Sequence, residues 1–131
     1  MKEQIREFID QIGPELEAMS DRIYDLAVIS SQEFQSCQLL EDFLEKNGFQ
    51  VEHGAGGMET AFRAVYEQGE GGPSFGLLAE YDALPMGHGC GHQMQGPSIL
   101  GAALCIRKLA GDAPYKIVVY GTPAEESLGG K

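Results

Sequence analysis

Two apolar runs, FGLLAEY at residues 75–81 and YKIVVYG at 115–121, bracket a stretch in which Ile99, Leu100, Ala103, Leu104 and Leu109 recur at helical spacing. A strand, a helix and a second strand in that order form a crossover, which brings the two strands into one sheet. The second run shows no polar alternation, which is typical of a strand covered on both faces. This pattern predicts an α/β architecture.

The chain before the crossover supplies the helices and further strands. From Glu3 to about Ala27, Ile5, Phe8, Ile9, Ile12, Leu16, Met19, Ile23 and Leu26 mark one apolar helical face. Gly13-Pro14 interrupts it and offers a second helix start at Pro14. Phe34, Cys37, Leu40, Phe43 and Leu44 define another amphipathic helix, which Lys46-Asn47-Gly48 stops. Phe49–Glu52 reads as a short strand, TAFRAVYEQ as the next and GEGGPS as the turn after it. The order α, α, β, β, β, α, β predicts a mixed sheet flanked by helices, with the last helix spanning Pro97–Ala110.

A chain of 131 residues fits one domain and can bury a core without staples. Its formal charge of -11, from 20 acidic against 9 basic residues, argues against nucleic acid, anionic membrane surfaces and polyanionic substrates. The cysteines Cys37, Cys90 and Cys105 are odd in number and the N-terminus is charged, so reduced thiols in a cytoplasm are expected. No apolar run approaches the roughly 18 residues of a membrane-spanning helix.

Three motifs fall at the C-terminal ends of predicted strands, where open α/β sheets place ligands. AEYDALP carries Asp82, GHGCGH opens the crossover helix, and GTPAEES carries Glu125 and Glu126. Cys90 and His92 can converge on one cation because the glycines let the backbone bend, and a thiolate, an imidazole and a carboxylate suit zinc or another first-row divalent metal. Taken alone, C-x-H is weak evidence, and a structural turn with an inert thiol is the simpler reading. Adjacent glutamates can divide two roles, one binding a metal and the other acting as general base; they can equally be a solvated acidic pair at a helix start. Asp82 can simply cap the turn before Leu84-Pro85. His53 and His88 read as ordinary surface or turn histidines, Cys37 and Cys105 as core filler, and Met58, Met86 and Met94 as loop packing or pocket lining.

Taken together, TAFRAVYEQGEGGPSFGLLAEYDALPMGHGCGHQMQGPSILGAAL and VVYGTPAEESLGGK resemble the metal-dependent amidohydrolase and carboxypeptidase family of aminoacylases, auxin-conjugate hydrolases and p-aminobenzoyl-glutamate hydrolase. The nearest branch is that of p-aminobenzoyl-glutamate hydrolase and β-alanyl-lysine dipeptidase, where AEYDALP is followed closely by GHxCGH. The resemblance implies a zinc-peptidase-like catalytic domain with two divalent metal ions, of zinc, manganese, cobalt or nickel. It implies metal ligation by Cys90, His92 and Glu126, a general-base role for Glu125, and a supporting role behind the ligands for Asp82. Gln93 departs from the aspartate of the auxin-conjugate branch.

The resemblance further implies a small-molecule amide or dipeptide substrate and a homodimeric full-length enzyme. Members of the family are longer, with further histidine ligands after the E-E motif and an inserted dimerisation or lid domain. Residues 1–131 are therefore expected to be the N-terminal part of the catalytic domain, with weak metal binding and little turnover alone. The alternatives are a non-catalytic α/β remnant, or a module that binds a partner through an exposed last strand, retaining part of a metal motif, and a Cys90 nucleophile with His92 as base. The latter is disfavoured by the two-residue spacing and the lack of an orienting third group.

Overall fold

A computed structural model describes residues 1–130, and Lys131 lies outside the described residues. The elements are α1 (Lys2–Leu26), α2 (Phe34–Lys46), β1 (Gln50–His53), β2 (Phe62–Gln68), β3 (Ser74–Ala79), α3 (His92–Leu109), β4 (Tyr115–Gly121) and α4 (Glu125–Leu128), with a 3-10 turn at Ala55–Gly57. The sheet order is β1-β2-β4-β3. β1–β2 and β2–β4 are antiparallel and β3–β4 is parallel, so the sheet is mixed and α3 is the crossover.

Period-two alternation sorts the side chains of the sheet. Phe62 and Ala64 of β2, Leu77 of β3, and Ile117 and Val119 of β4 pack into one core with Leu40 and Leu44 of α2 and Leu100 and Leu104 of α3. Each fully buried leucine or isoleucine contributes about 1.5–3 kcal/mol from removal of its surface from water. α1 closes this core from outside, burying Met19 and Ile23 and lying along α3. Gly101 permits that approach, because a Cβ there would lie 2.8 Å from Leu16 Cδ1.

The opposite face of the sheet carries Leu78, 43% exposed, and Tyr120, 38% exposed, beside the Glu67–Lys116 ion pair at 3.3 Å. The expectation that β4 is covered on both faces therefore fails at Tyr120. The described helices α2 and α3 lie on one face only, and an apolar run reports hydrophobicity without reporting what covers it. Nor is the last strand an exposed edge: β4 is held between β2 and β3.

Two helix boundaries also differ from the sequence reading. α1 runs unbroken through Pro14, because that residue sits on an exposed side of the helix where water can serve the carbonyl the proline leaves unpaired. α3 starts at His92, five residues before Pro97, and Gly91 turns the chain into it at φ 88°. Among the described residues, no helix is long and apolar enough to cross a membrane.

The free edge of β3 is closed at its C-terminal end by a side chain. Gln95 Oε1 accepts from the Glu80 backbone N–H, while Gln95 Nε2 donates to the Leu78 carbonyl at 3.3 Å. One amide thus satisfies a donor and an acceptor that would otherwise await a neighbouring strand.

Candidate metal centre

The C-terminal ends of the parallel pair β3 and β4 carry the chemistry. Beyond β3, the chain continues through Glu80-Tyr81-Asp82 and is held by a bridge between Ile29 and Ala83, with the Ala83 N–H donating to the Val28 carbonyl at 2.8 Å. Beyond β4, Thr122 N–H donates to the Ala79 carbonyl at 2.8 Å, extending the parallel pairing to the threshold of the E-E motif. The GHGCGH loop then brings Cys90 and His92 to the start of α3. Cys90 Sγ, a ring nitrogen of His92 and a carboxylate oxygen of Glu126 all lie within 4.8 Å of one another.

Asp82 is fully buried and joins the parts of this centre. Its Oδ1 lies 3.0 Å from His92 Nδ1, and its Oδ2 accepts from Ser30 Oγ at 2.9 Å and from the Glu126 backbone N–H at 3.0 Å. A carboxylate behind Nδ1 favours the tautomer whose Nε2 lone pair points forward, and it fixes the plane of the ring. The same carboxylate anchors the main chain of Glu126, so one buried acid sets the position of both residues.

Glu80, for which sequence reasoning gave no role, also enters the centre. Its Oε2 lies 2.9 Å from His92 Nε2, while Glu126 Oε1 lies 3.6 Å from the same nitrogen. The signal was available: residues 80 and 82 of an extended segment point to one side, so E-Y-D sends both acids toward His92 and Tyr81 the other way. Three carboxylates around one imidazole concentrate negative charge that a cation would neutralise.

Local burial and then the hydrogen bond to Glu126 push the Cys90 thiol above its ordinary value, although the residue as a whole is exposed. The thiol therefore remains a neutral donor until a divalent ion replaces its proton. Gln93 Oε1 adds a buried acceptor for which no hydrogen-bond donor exists among the described residues. Thiol, imidazole and carboxylates in this proportion fit a zinc-type ion and do not fit calcium or magnesium, which take oxygen ligands.

Glu125 and Glu126 open α4, preceded by Ala124 in the left-handed region at φ 57°. That conformation is costly for a residue with a Cβ. It is held by Glu33, a buried glutamate missed in the sequence, whose Oε1 accepts from the Ala124 N–H at 2.8 Å and whose Oε2 accepts from Thr60 Oγ1 at 3.0 Å. Glu125 is partly buried beside Glu126.

His88 is buried, contrary to the expectation of a surface or turn histidine, and packs against Tyr24 with ring centroids 6.3 Å apart. Burial lowers its pKa. Cys37 is core as expected, whereas Cys105 is only partly buried. Met86 and Met94 are exposed, and Met58 borders a groove of about 540 Å³ with Phe62, Leu78 and Tyr120.

No family model matches the chain. Individual relatives do. It is 35% identical to the Xaa-Arg dipeptidase of Mus musculus over all of its own length and 33% of that protein. It is 33% identical to a p-aminobenzoyl-glutamate hydrolase chain of Escherichia coli, covering 86% of this chain and 27% of that one.

Among solved structures, a dinuclear metal-binding peptidase of the M20 family from Bacillus subtilis superposes with a TM-score of 0.79 at 22% identity, over 89% of this chain and 37% of that chain. The aminobenzoyl-glutamate utilization protein of Klebsiella pneumoniae gives 0.75 at 18% identity, over 94% of this chain and 40% of that chain. The fold is thus one found in α/β metallopeptidases. Through these curated hydrolases the chain resembles the metal-dependent amidohydrolase and carboxypeptidase family. It spans about a third of the length of the first curated relatives it matches, at 33% and 34%.

Proposed function

We propose that this chain supplies the N-terminal part of the catalytic domain of a metal-dependent amidohydrolase, acting in the cytoplasm on amide bonds in N-acyl amino acids, aminobenzoyl-glutamate or dipeptides. The observation that carries the reading is the convergence of Cys90, His92 and Glu126 within 4.8 Å, with Asp82 behind two of them. The names dipeptidase and p-aminobenzoyl-glutamate hydrolase among the relatives support the last two of these substrate classes.

In this reading Cys90, His92 and Glu126 hold one of two divalent ions, zinc, manganese, cobalt or nickel. The bound ions supply Lewis acidity toward water and the amide carbonyl. Asp82 keeps the His92 ring oriented and Glu126 in place. Glu125 takes the proton of the attacking water and returns it to the departing nitrogen.

The test is to read the gene past the codon for Lys131 and assay the encoded protein with these amides in zinc or manganese. Hydrolysis that is lost on chelation is the expected result. Glu125→Gln should abolish turnover while metal stays bound; retained activity would remove Glu125 from the base role. Failure to cleave any of these amides, or a stop codon after Lys131, would overturn the enzyme reading in favour of a non-catalytic module.

A further inference from the structure

A second set of donors lies on the other side of the Glu80-Tyr81-Asp82 segment, away from His92. Cys37 and Glu41 are one helical turn apart on the buried face of α2, and His53 ends β1. Cys37 Sγ, a Glu41 carboxylate oxygen and a His53 ring nitrogen all lie within 4.8 Å of one another. Neighbouring positions on this face of the helix, Leu40 and Leu44, are apolar and fully buried, so the polar pair interrupts a hydrocarbon surface.

Glu41 is the anomaly that calls for explanation. Its side chain is 5% exposed, and it meets His53 Nδ1 at 2.8 Å, an imidazole that is itself 57% exposed. Burying a carboxylate is costly unless it is paired or coordinates a metal. A surface pair would need neither the burial nor the thiol. Without an ion, burial and the nearby Glu41 carboxylate push the Cys37 thiol up to about 12, leaving it a neutral filler.

The donor set suits zinc, with one sulfur, one nitrogen and one carboxylate. Ligands about 2.0–2.3 Å from such an ion stand roughly 3–4 Å apart, a spacing that small rotations of the exposed His53 can reach. His53 also opens one side to solvent, where water can fill a fourth position.

We propose that Cys37, Glu41 and His53 form a second, structural zinc-type site that ties α2 to β1. Binding forms a metal–sulfur bond as the S–H bond breaks, and the proton passes to solvent. The site is independent of the amidohydrolase reading, since none of its ligands belongs to the first cluster.

Cobalt(II) and zinc(II) serve as the probes, with Cys90→Ser protein prepared metal-free. Cobalt is expected to give a thiolate-to-metal charge-transfer band in this variant, and one equivalent of zinc should raise its Tm. Adding His53→Ala, at an exposed position that spares the core, should weaken zinc binding at least about tenfold and abolish the Tm shift. Adding Cys37→Ser should remove the band. A Cys90→Ser protein with no thiolate band, or a His53→Ala variant with unchanged zinc affinity, would overturn the proposal.

Discussion

The backbone N–H of Glu126 donates to Asp82 Oδ2 at 3.0 Å, tying the loop after β4 to the loop after β3 across the end of the sheet. Through this bond and the one from His92 Nδ1, the position of the first donor cluster depends on an acid that belongs to neither loop's exposed surface.

Asp82→Asn should therefore weaken zinc binding about 10- to 100-fold, the usual effect of removing a partner behind a ligand. The asparagine carbonyl can still serve His92, but its NH2 then faces the Ser30 hydroxyl and the Glu126 N–H. Competition with a chromophoric chelator measures the affinity. A change smaller than twofold would show that Asp82 does not position the ligands.

Glu80→Gln tests whether the carboxylate 2.9 Å from His92 Nε2 contributes to holding an ion. Replacing its charge with a neutral amide should lower zinc affinity several-fold and leave the melting temperature of the metal-free protein within a few degrees. Equal affinity in the two proteins would confine Glu80 to hydrogen bonding.

Alkylation with iodoacetamide should rank the thiols by exposure and ionisation. Cys90 is exposed, Cys105 partly buried and Cys37 buried, with the Cys37 thiol pushed up to about 12. Cys90 should react first, at a rate that climbs with pH past the ordinary thiol range because its own value is raised. One equivalent of zinc should protect it, and Cys37 should react only in denaturant. Mass spectrometry of digests reports each site; rapid labelling of Cys37 in the native protein would contradict the packing of α2.

Two glycines should respond in opposite directions to alanine. A Cβ at Gly121 would overlap the Phe62 ring, so Gly121→Ala should destabilise by about 1–3 kcal/mol, the cost of overpacking a core. At Gly76 the nearest atom is Tyr120 Cε2 at 3.8 Å, an ordinary contact, and Gly76→Ala should stabilise by roughly 0.5–1 kcal/mol through the strand's lost entropy cost. Urea unfolding with a constant m separates them; the same sign for both would mean the packing of β2 on β4 is misplaced.

The sequence made legible whatever depended on local periodicity. β4 occupies the whole of YKIVVYG, and the mixed sheet follows from one crossover. Helix ends at prolines were not legible, since the tolerance of Pro14 and Pro97 depends on which side of the helix meets water or a neighbour. Cys90, His92 and Glu126 lie together because the ends of neighbouring parallel strands and the start of their crossover helix must meet. The contributions of Glu33 and Gln95 were hidden. Each acts through a partner in another element, Ala124 and Leu78 respectively, and nothing local in the chain distinguishes such a residue from a solvated one.

The amide of Gln95 gives the sheet a stop. A strand arriving from another molecule could run along β3 from Ser74 toward Leu77, but to continue it would have to evict a side chain already bonded to both backbone groups it needs. Exposed edges are the usual route by which β-proteins join into fibres. Here the growth of such a seam is arrested just before the segment that carries Glu80 and Asp82. A glutamine on the crossover helix thus keeps the charged end of the sheet from being buried under a misdirected neighbour.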